Sequence, residues 1–339
     1  MSFLGRDQVF IIAEISANHC NDLNIAIRTI DAIAASGADA VKVQTYKPES
    51  LTINCDNEYF GELKQGAWKG HKPWDLYSKA ALKYEWHETL KEHAEKKGLI
   101  FFSSPFDLDA VDFLEELNVC LYKIASFEIN HIPLIKKVAR TGKPIIISTG
   151  VADEQDITDA LDACYQEGNR NIALLKCTSE YPANIEDANL AVIADMKKRF
   201  GTVVGLSDHS FGHFLPVLSV ALGAKIIEKH FILDRTYGGA DAHFSMEPNE
   251  FSEMVKNVRL AEKAFGEVAY TLTDSNKKRR RSLFVSCDIQ EGETFTYNNI
   301  RCVRPGVGLA PKFLDDVLGK KASRDLIKGS PLSFEDIIE

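Results

Sequence analysis

The stretch Phe10-Ile-Ile-Ala-Glu-Ile15, followed by a helix-period run over residues 25–36 and then by Ala40-Val-Lys-Val-Gln-Thr45, decides the fold. Two short, almost continuously apolar β-rich runs flank an amphipathic segment, and a strand that is apolar on both sides has to be covered on both. The unit then repeats. Runs of the same kind begin at Leu99, Leu121, Pro144, Ile172, Val203 and Lys225, and helix-period segments occupy 86–97, 109–117, 132–140, 157–165 and 190–200. Eight parallel strands, each followed by a helix, close on themselves, so the spacing predicts an α/β fold, a (β/α)8 TIM barrel over residues 1–270. The longest insertion, 47–84, is rich in Trp, Tyr, Lys and Gly. It follows a strand, at the end where such loops form the barrel mouth, and reads as a lid or substrate-shaping segment.

Beyond the barrel the sequence changes character. A polar, basic linker over 271–283 leads into Asp288-Ile-Gln-Glu-Gly and, in the same register, Asp325-Leu-Ile-Lys-Gly, each followed by a short strand and a helix-start pattern. This internal duplication predicts a small β-rich domain over 284–339.

At 339 residues the chain exceeds one core of ordinary size, which agrees with a large and a small domain. Its net charge of −9 argues against a broad nucleic-acid-binding surface but leaves room for a local anion pocket. The apolar run from Val9 to Ile15 is short, has no basic lead-in and reads as a buried strand, not a signal peptide; no stretch is long enough to span a membrane. Seven cysteines without a C-x-x-C pair point to a reducing, cytoplasmic setting.

A barrel of this kind assembles its active site where the strands end, and here nearly every strand ends in polar residues. In order they supply Glu14; Lys42 and Gln44; Ser103 and Ser104; Lys123, Ser126 and Glu128; Ser148 and Thr149; Lys176, Thr178 and Ser179; Ser207, Asp208 and His209; and Glu228 and His230. Lys42 and Gln44 are two apart and therefore share one side of their strand, leaving Val41 and Val43 for the helices. A lysine inside a barrel needs an anion. The bland answer is an ion pair with Glu14; the surplus of hydroxyls favours a phosphate and a carboxylate. His209 and His230 end the seventh and eighth strands, which neighbour each other in a closed barrel, so their imidazoles are placed to share one divalent ion. Two nitrogens leave positions for water and substrate oxygen, which suits Mn2+ or Mg2+, with Co2+ a further candidate, better than a closed zinc site. Asp208 and Glu228 flank them as expected supports. Two rivals remain: a Schiff-base aldolase using Lys123 or Lys176, and a carbohydrate-binding protein without catalysis.

The strand ends resemble the sialic acid synthase family along nearly the whole chain. The resemblance is carried by Ala13-Glu-Ile-Ser-Ala-Asn-His19, Lys42-Val-Gln-Thr45, Phe102-Ser-Ser-Pro-Phe106, Tyr122-Lys-Ile-Ala-Ser-Phe-Glu128, Gly205-Leu-Ser-Asp-His209 and Ile227-Glu-Lys-His-Phe231. The C-terminal part is similar to that family's SAF, or antifreeze-like, domain, with Arg304-Pro-Gly-Val-Gly308 in its usual place. The resemblance implies a condensation of phosphoenolpyruvate with an acetamido sugar. Pro73-Trp-Asp-Leu-Tyr77 and Tyr84-Glu-Trp-His87 are similar to the branch acting on a 2,4-diacetamido-2,4,6-trideoxyhexose of the altrose series, while Phe127 and Ser179 depart from the N-acetylmannosamine-using members. By position, the family pattern assigns Lys42, Ser104, Lys123, Ser126, Ser148, Ser179 and Ser207 to phosphoenolpyruvate and His209 and His230 to the metal. It makes Glu14 the acid or base, and turns Gln44, Glu128, Tyr181 and Asp241 toward the sugar. It also implies a domain-swapped homodimer in which Arg304 reaches the partner's barrel.

Overall fold

The computed structural model describes residues 7–66 and 68–338. Its strands β1 (Phe10–Glu14), β2 (Ala40–Thr45), β3 (Ile100–Pro105), β4 (Tyr122–Ile124), β5 (Ile145–Ser148), β6 (Ile172–Cys177), β7 (Val203–Asp208) and β8 (Ile226–His230) form a closed parallel barrel in chain order. β8 returns onto β1 with Phe10 opposite Ile226 and Glu14 opposite His230, while Glu14 faces Lys42 on β2. Each strand has a helix after it, so the fold is the (β/α)8 barrel that the repeated unit predicts. Two departures have local causes. β4 stops at Ile124 because the chain tightens into a 3-10 turn, Ser126–Glu128, and β5 starts after Pro144, which has no N–H to give a ladder.

The period-2 alternation of the strands divides their side chains between two cores. Outward residues such as Ile11, Val41, Val43 and Phe101 pack under the helices. Inward residues at the strand starts, among them Phe10, Ile12, Ala40, Phe102, Leu121, Ile146, Leu175 and Ile226, fill the bottom of the lumen with an apolar plug. One position on β7 has to be glycine: a Cβ on Gly205 would run into the Ile226 carbonyl and the Leu175 side chain. Side-chain caps fix where several helices begin. Asp22 accepts from the amides of Asn24 (2.7 Å) and Ile25 (3.3 Å) ahead of the Leu23–Ala35 helix, and Asp107 accepts from Ala110 (2.6 Å) ahead of Leu108–Glu116. The insertion after β2 holds two helices that each start with proline, Pro48–Leu51 and Pro73–Ala80.

The chain separates into two compact units, one through Gly266 and the other from Glu267. The stretch expected as a linker, 271–283, contributes a short helix, Asp274–Lys278, and the first residues of a strand, Ser282–Val285, to the second unit. Residues 1–6 and 339, at the outer ends of the expected domains, lie outside the described residues. The duplication in the second unit is structural as well as sequential. Ile289 and Leu326, at equivalent places in the two repeats, exchange both backbone hydrogen bonds at 2.8 Å. Asp288 accepts from the Lys328 amide and Asp325 from the Glu291 amide, at 2.7 and 2.8 Å. The repeats thus cap each other about a local two-fold, over a shared core that includes Ile289, Phe295, Ile300, Leu326 and Leu332.

Candidate active site

Above the apolar plug, the same inward lines carry a charged layer. Lys42 Nζ lies 3.0 Å from Glu14 and 3.2 Å from Glu228, and it donates to Ser104 Oγ at 3.4 Å. Lys123 donates to Ser148 Oγ at 2.7 Å and stands 3.8 Å from Glu228, which accepts from Ser207 at 3.1 Å. Both lysines and both carboxylates are almost completely buried, so their charges are settled by one another. Burial pushes the Glu14 acid up to about 7, against the pull of Lys42 and with the push of Glu228. Burial also works against the Lys42 ammonium, but the two carboxylates outweigh it and raise that pKa. Lys123, shielded from water and with weaker compensation, falls to about 8. Burial favours the neutral acid of Glu228, yet Lys123 and Lys42 reverse this and hold it below the usual carboxylate range.

A third layer forms the rim. Ser16, held in the left-handed region at φ 49°, donates to Asp241 Oδ2 at 2.5 Å and accepts from Gln44 Nε2 at 3.0 Å. Burial raises the Asp241 acid and, to about 7, that of Glu128. Ser126 Oγ accepts from the Gly150 amide at 3.1 Å. A Cβ on Gly150 would strike the hydroxyls of Ser179 and Ser126, so a bare backbone edge borders this pair of serines. Cys177 continues the inward line of β6, with Sγ 3.6 Å from Ser179 Oγ. Trp68, from the insertion, lies tilted against Tyr181 with ring centroids 5.5 Å apart and anchors its indole N–H on the Ala240 carbonyl at 3.1 Å. Together these groups line a cavity of about 300 Å³ at the barrel mouth, bordered by Gln44, Tyr46, Glu128, Tyr181, His230 and Asp241 among others.

His209 and His230 come together as their strands require, with ring centroids 5.2 Å apart and Tyr181 at 4.4 and 6.4 Å. The Nδ1 of His209 is 2.9 Å from the Thr178 carbonyl, which can only accept, so that nitrogen carries a proton. Burial disfavours the charged ring, but Cys177 and the Thr178 carbonyl outweigh it and raise the pKa; in the neutral ring Nε2 is the nitrogen with the lone pair. His230 Nδ1 is buried without a hydrogen-bond partner and lies 4.0 Å from Asp241. Burial, then the nearby His209 and lysines, hold His230 well below the ordinary imidazole range, in its neutral, ligating form. A fixed tautomer on one ring and an orphaned nitrogen on the other fit a divalent cation. Among the described residues no set of three or more His, Cys, Asp and Glu side chains is grouped as a metal cage.

Some flanking residues do other work than their positions suggested. Asp208 points out of the lumen: it pairs with the buried Lys229 at 2.5 Å and accepts from the Ser210 amide at 3.0 Å, while Lys229 also donates to the Ser210 carbonyl at 2.5 Å. The pair clamps the segment that presents His209 and does not touch either imidazole. Glu228 lies a layer below the histidines, between the lysines. Lys176 alternates to the outer side of β6 and donates to the Cys177 carbonyl at 2.8 Å, away from the lysine cluster, so of the two Schiff-base candidates only Lys123 is in the lumen, beside Lys42. Ser103 likewise faces outward, toward Thr45 at 2.6 Å and the Val43 carbonyl. Arg304 belongs to the second unit, where it follows the strand Ile300–Val303 and is exposed, with no side-chain partner among the described residues. Tyr46, Phe106 and Cys177 were missed from the sequence, although each simply extends an inward line by two residues.

These layers define a barrel enzyme with a polar, charged lumen open where the strands end. The sequence profile of the NeuB family matches residues 29–270, and that of the SAF domain matches 280–338. A pseudaminic acid synthase of Campylobacter jejuni is 46% identical over 332 residues, covering 97% of this chain and 96% of the relative. A second, from Helicobacter pylori, is also 46% identical and covers 96% of this chain and 97% of its own. The crystal structure of an N-acetylneuraminic acid synthetase from Leptospira borgpetersenii in complex with citrate aligns with a TM-score of 0.71 at 37% identity, over 80% of this chain and 90% of that one. The chain belongs to the NeuB family and is an enzyme of the sialic acid synthase type.

Proposed function

We propose that this enzyme is a pseudaminic acid synthase, joining phosphoenolpyruvate to 2,4-diacetamido-2,4,6-trideoxy-L-altrose with release of phosphate. The near full-length likeness at 46% identity to relatives of that name carries the reading, and the layered lumen supplies the chemistry. Lys42 and Lys123, with Ser104, Ser126, Ser148, Ser179 and Ser207, hold the phosphate and carboxylate of phosphoenolpyruvate, and the bare edge at Gly150 gives the anion room. His209 and His230 hold a divalent cation, Mn2+ or Mg2+. When bound, such an ion polarises a carbonyl oxygen. Gln44, Glu128, Tyr181 and Asp241 orient the open-chain sugar so that its aldehyde carbon meets the phosphoenolpyruvate methylene.

As the carbon–carbon bond forms, positive charge develops on the middle carbon of phosphoenolpyruvate, and water adds there. Glu14, with an acid near pH 7, is suited to move the proton released or taken up beside the reacting carbons. The adduct loses phosphate by carbon–oxygen cleavage while the lysines and hydroxyls stabilise the departing dianion. Arg304 completes the sugar end of a partner's site in a domain-swapped homodimer. The cytoplasm, where phosphoenolpyruvate is at hand, is the setting proposed; all seven cysteines are free, and among the described residues no helix is long and apolar enough to cross a membrane.

The test is phosphate release from phosphoenolpyruvate with Mn2+ and a panel of acetamido sugars. The altro-configured diacetamido sugar should be preferred over N-acetylmannosamine and over the sugar of legionaminate synthesis, and EDTA should abolish turnover. A borohydride-trapped adduct on Lys123, whose lowered pKa also suits an amine nucleophile, would overturn the reading in favour of a Schiff-base aldolase.

A further inference from the structure

One side of the mouth cavity carries polar groups that the protein itself leaves unused. Tyr46 extends the inward line of Lys42 and Gln44 by two residues, is only 4% exposed, and lines the cavity, yet its hydroxyl has no hydrogen-bond partner among the described residues. Glu128 lines the same cavity, and its Oε2 is buried without a partner. Polar atoms are rarely buried unpaired, so the orphaned Glu128 Oε2, beside a cavity-lining tyrosine hydroxyl that no described residue hydrogen-bonds, marks where a ligand supplies partners. The surroundings are apolar. Phe106 meets the Tyr46 ring edge-on at 5.3 Å, Tyr77 does so at 6.1 Å, and Leu76 borders the cavity beside them.

One acceptor, one donor and an apolar wall match a small set of groups. A bare hydroxyl would leave the wall facing water, a carboxylate would be repelled by Glu128 whenever that acid is ionised, and an ammonium would leave the Tyr46 hydroxyl without an acceptor. A secondary amide carrying a methyl satisfies all three: its N–H donates to Glu128, its carbonyl accepts from Tyr46, and its methyl packs on Phe106 and Leu76. We propose that Tyr46, Glu128, Phe106 and Leu76 form a subsite for an N-acetyl group, and that Tyr46 is a specificity-determining residue. The assignment rests on the synthase reading above. That reading places the aldehyde at the histidines on β7 and β8, whereas Phe106 and Glu128 follow β3 and β4 on the opposite side of the barrel. The subsite therefore takes the acetamido group farther from the aldehyde, at C4.

Two sugars and two proteins test this. The sugars are the 2,4-diacetamido-2,4,6-trideoxyhexose and its analogue with a hydroxyl at C4; the proteins are the wild type and Tyr46→Phe, which removes one oxygen and keeps the ring packing. Phosphate release gives kcat and KM for each sugar at saturating phosphoenolpyruvate. Tyr46→Phe should lower kcat/KM for the diacetamido sugar by about 3- to 10-fold, the worth of one neutral hydrogen bond, mainly through KM. It should leave the analogue, the KM for phosphoenolpyruvate and the melting temperature unchanged. Equal losses on both sugars, or no loss on either, would overturn the subsite while leaving the synthase reading intact. A wild type that releases phosphate with neither sugar would overturn both.

Discussion

Glu14→Gln separates proton transfer from charge balance, because the amide keeps the shape of the side chain and loses only its ability to ionise. Glu14 is buried, 3.0 Å from Lys42. Losing a buried ion-pair partner usually costs about 3–5 kcal/mol because the other charge is stranded. Here Lys42 retains Glu228 at 3.2 Å, so the variant should fold. Removal of a general acid or base typically costs ~100-fold or more in turnover, or about 2.7 kcal/mol of barrier. The KM for phosphoenolpyruvate should not rise, since a carboxylate competing for Lys42 has gone. The assay is phosphate release across pH 5.5–8.5, with phosphoenolpyruvate affinity measured separately. The wild-type profile should break near the Glu14 value of about 7, and the variant should lack that break.

Stability provides an independent sign. A carboxyl raised from 4.5 to about 7 by burial binds its proton more tightly folded than unfolded. Its contribution is fully present below pH 4.5 and is lost as pH rises through the folded value. The neutral amide has no such loss, so the variant should gain on the wild type between those limits, by on the order of 1–3 kcal/mol. Near-normal turnover with an unchanged pH profile would refute the role given to Glu14.

Lys229→Met should destabilise the barrel by about 3–5 kcal/mol in urea unfolding, because it strands the buried Asp208, and should weaken Mn2+ binding by loosening the His209 segment. Asp208→Asn combined with Lys229→Met should recover part of the stability. Gly150→Ala should raise the KM for phosphoenolpyruvate by about 10-fold or more while melting close to the wild type, since the new methyl meets the serine hydroxyls at the site and not the core. Arg304→Ala and Glu14→Gln, each inactive alone, should regain up to about a quarter of wild-type activity when their subunits are exchanged, because one site of the mixed dimer is then whole. No recovery from a verified mixed dimer would place Arg304 outside the shared site.

The barrel was legible because its signal is redundant. Eight apolar runs at helix-separated spacing allow few other closures, and every expected strand is present to within one or two residues at its ends. The positions of Glu14, Lys42, Lys123 and the two histidines follow from the same regularity, as each ends or nearly ends an inward line. What the sequence hid was the facing of particular side chains. Asp208 and Lys229 sit on the outer sides of β7 and β8 and find each other, whereas Glu228, one residue from Lys229, points inward to the lysines. Strand parity read from Ile226 would have separated them, and counting on from Lys42 would have reached Tyr46. The insertion was another matter. That Trp68 lies against Tyr181 depends on how a long loop folds back over the mouth, which no local period encodes.

The most direct test of the account follows a single oxygen. Phosphoenolpyruvate labelled with 18O at the bridge between carbon and phosphorus is turned over with the diacetamido sugar, and both products are weighed by mass spectrometry. Carbon–oxygen cleavage in the lysine-lined lumen predicts that the label leaves with phosphate and that the new sugar acid takes its oxygen from solvent. Label retained in the sugar acid would mean that the phosphorus–oxygen bond had broken, and would contradict the account.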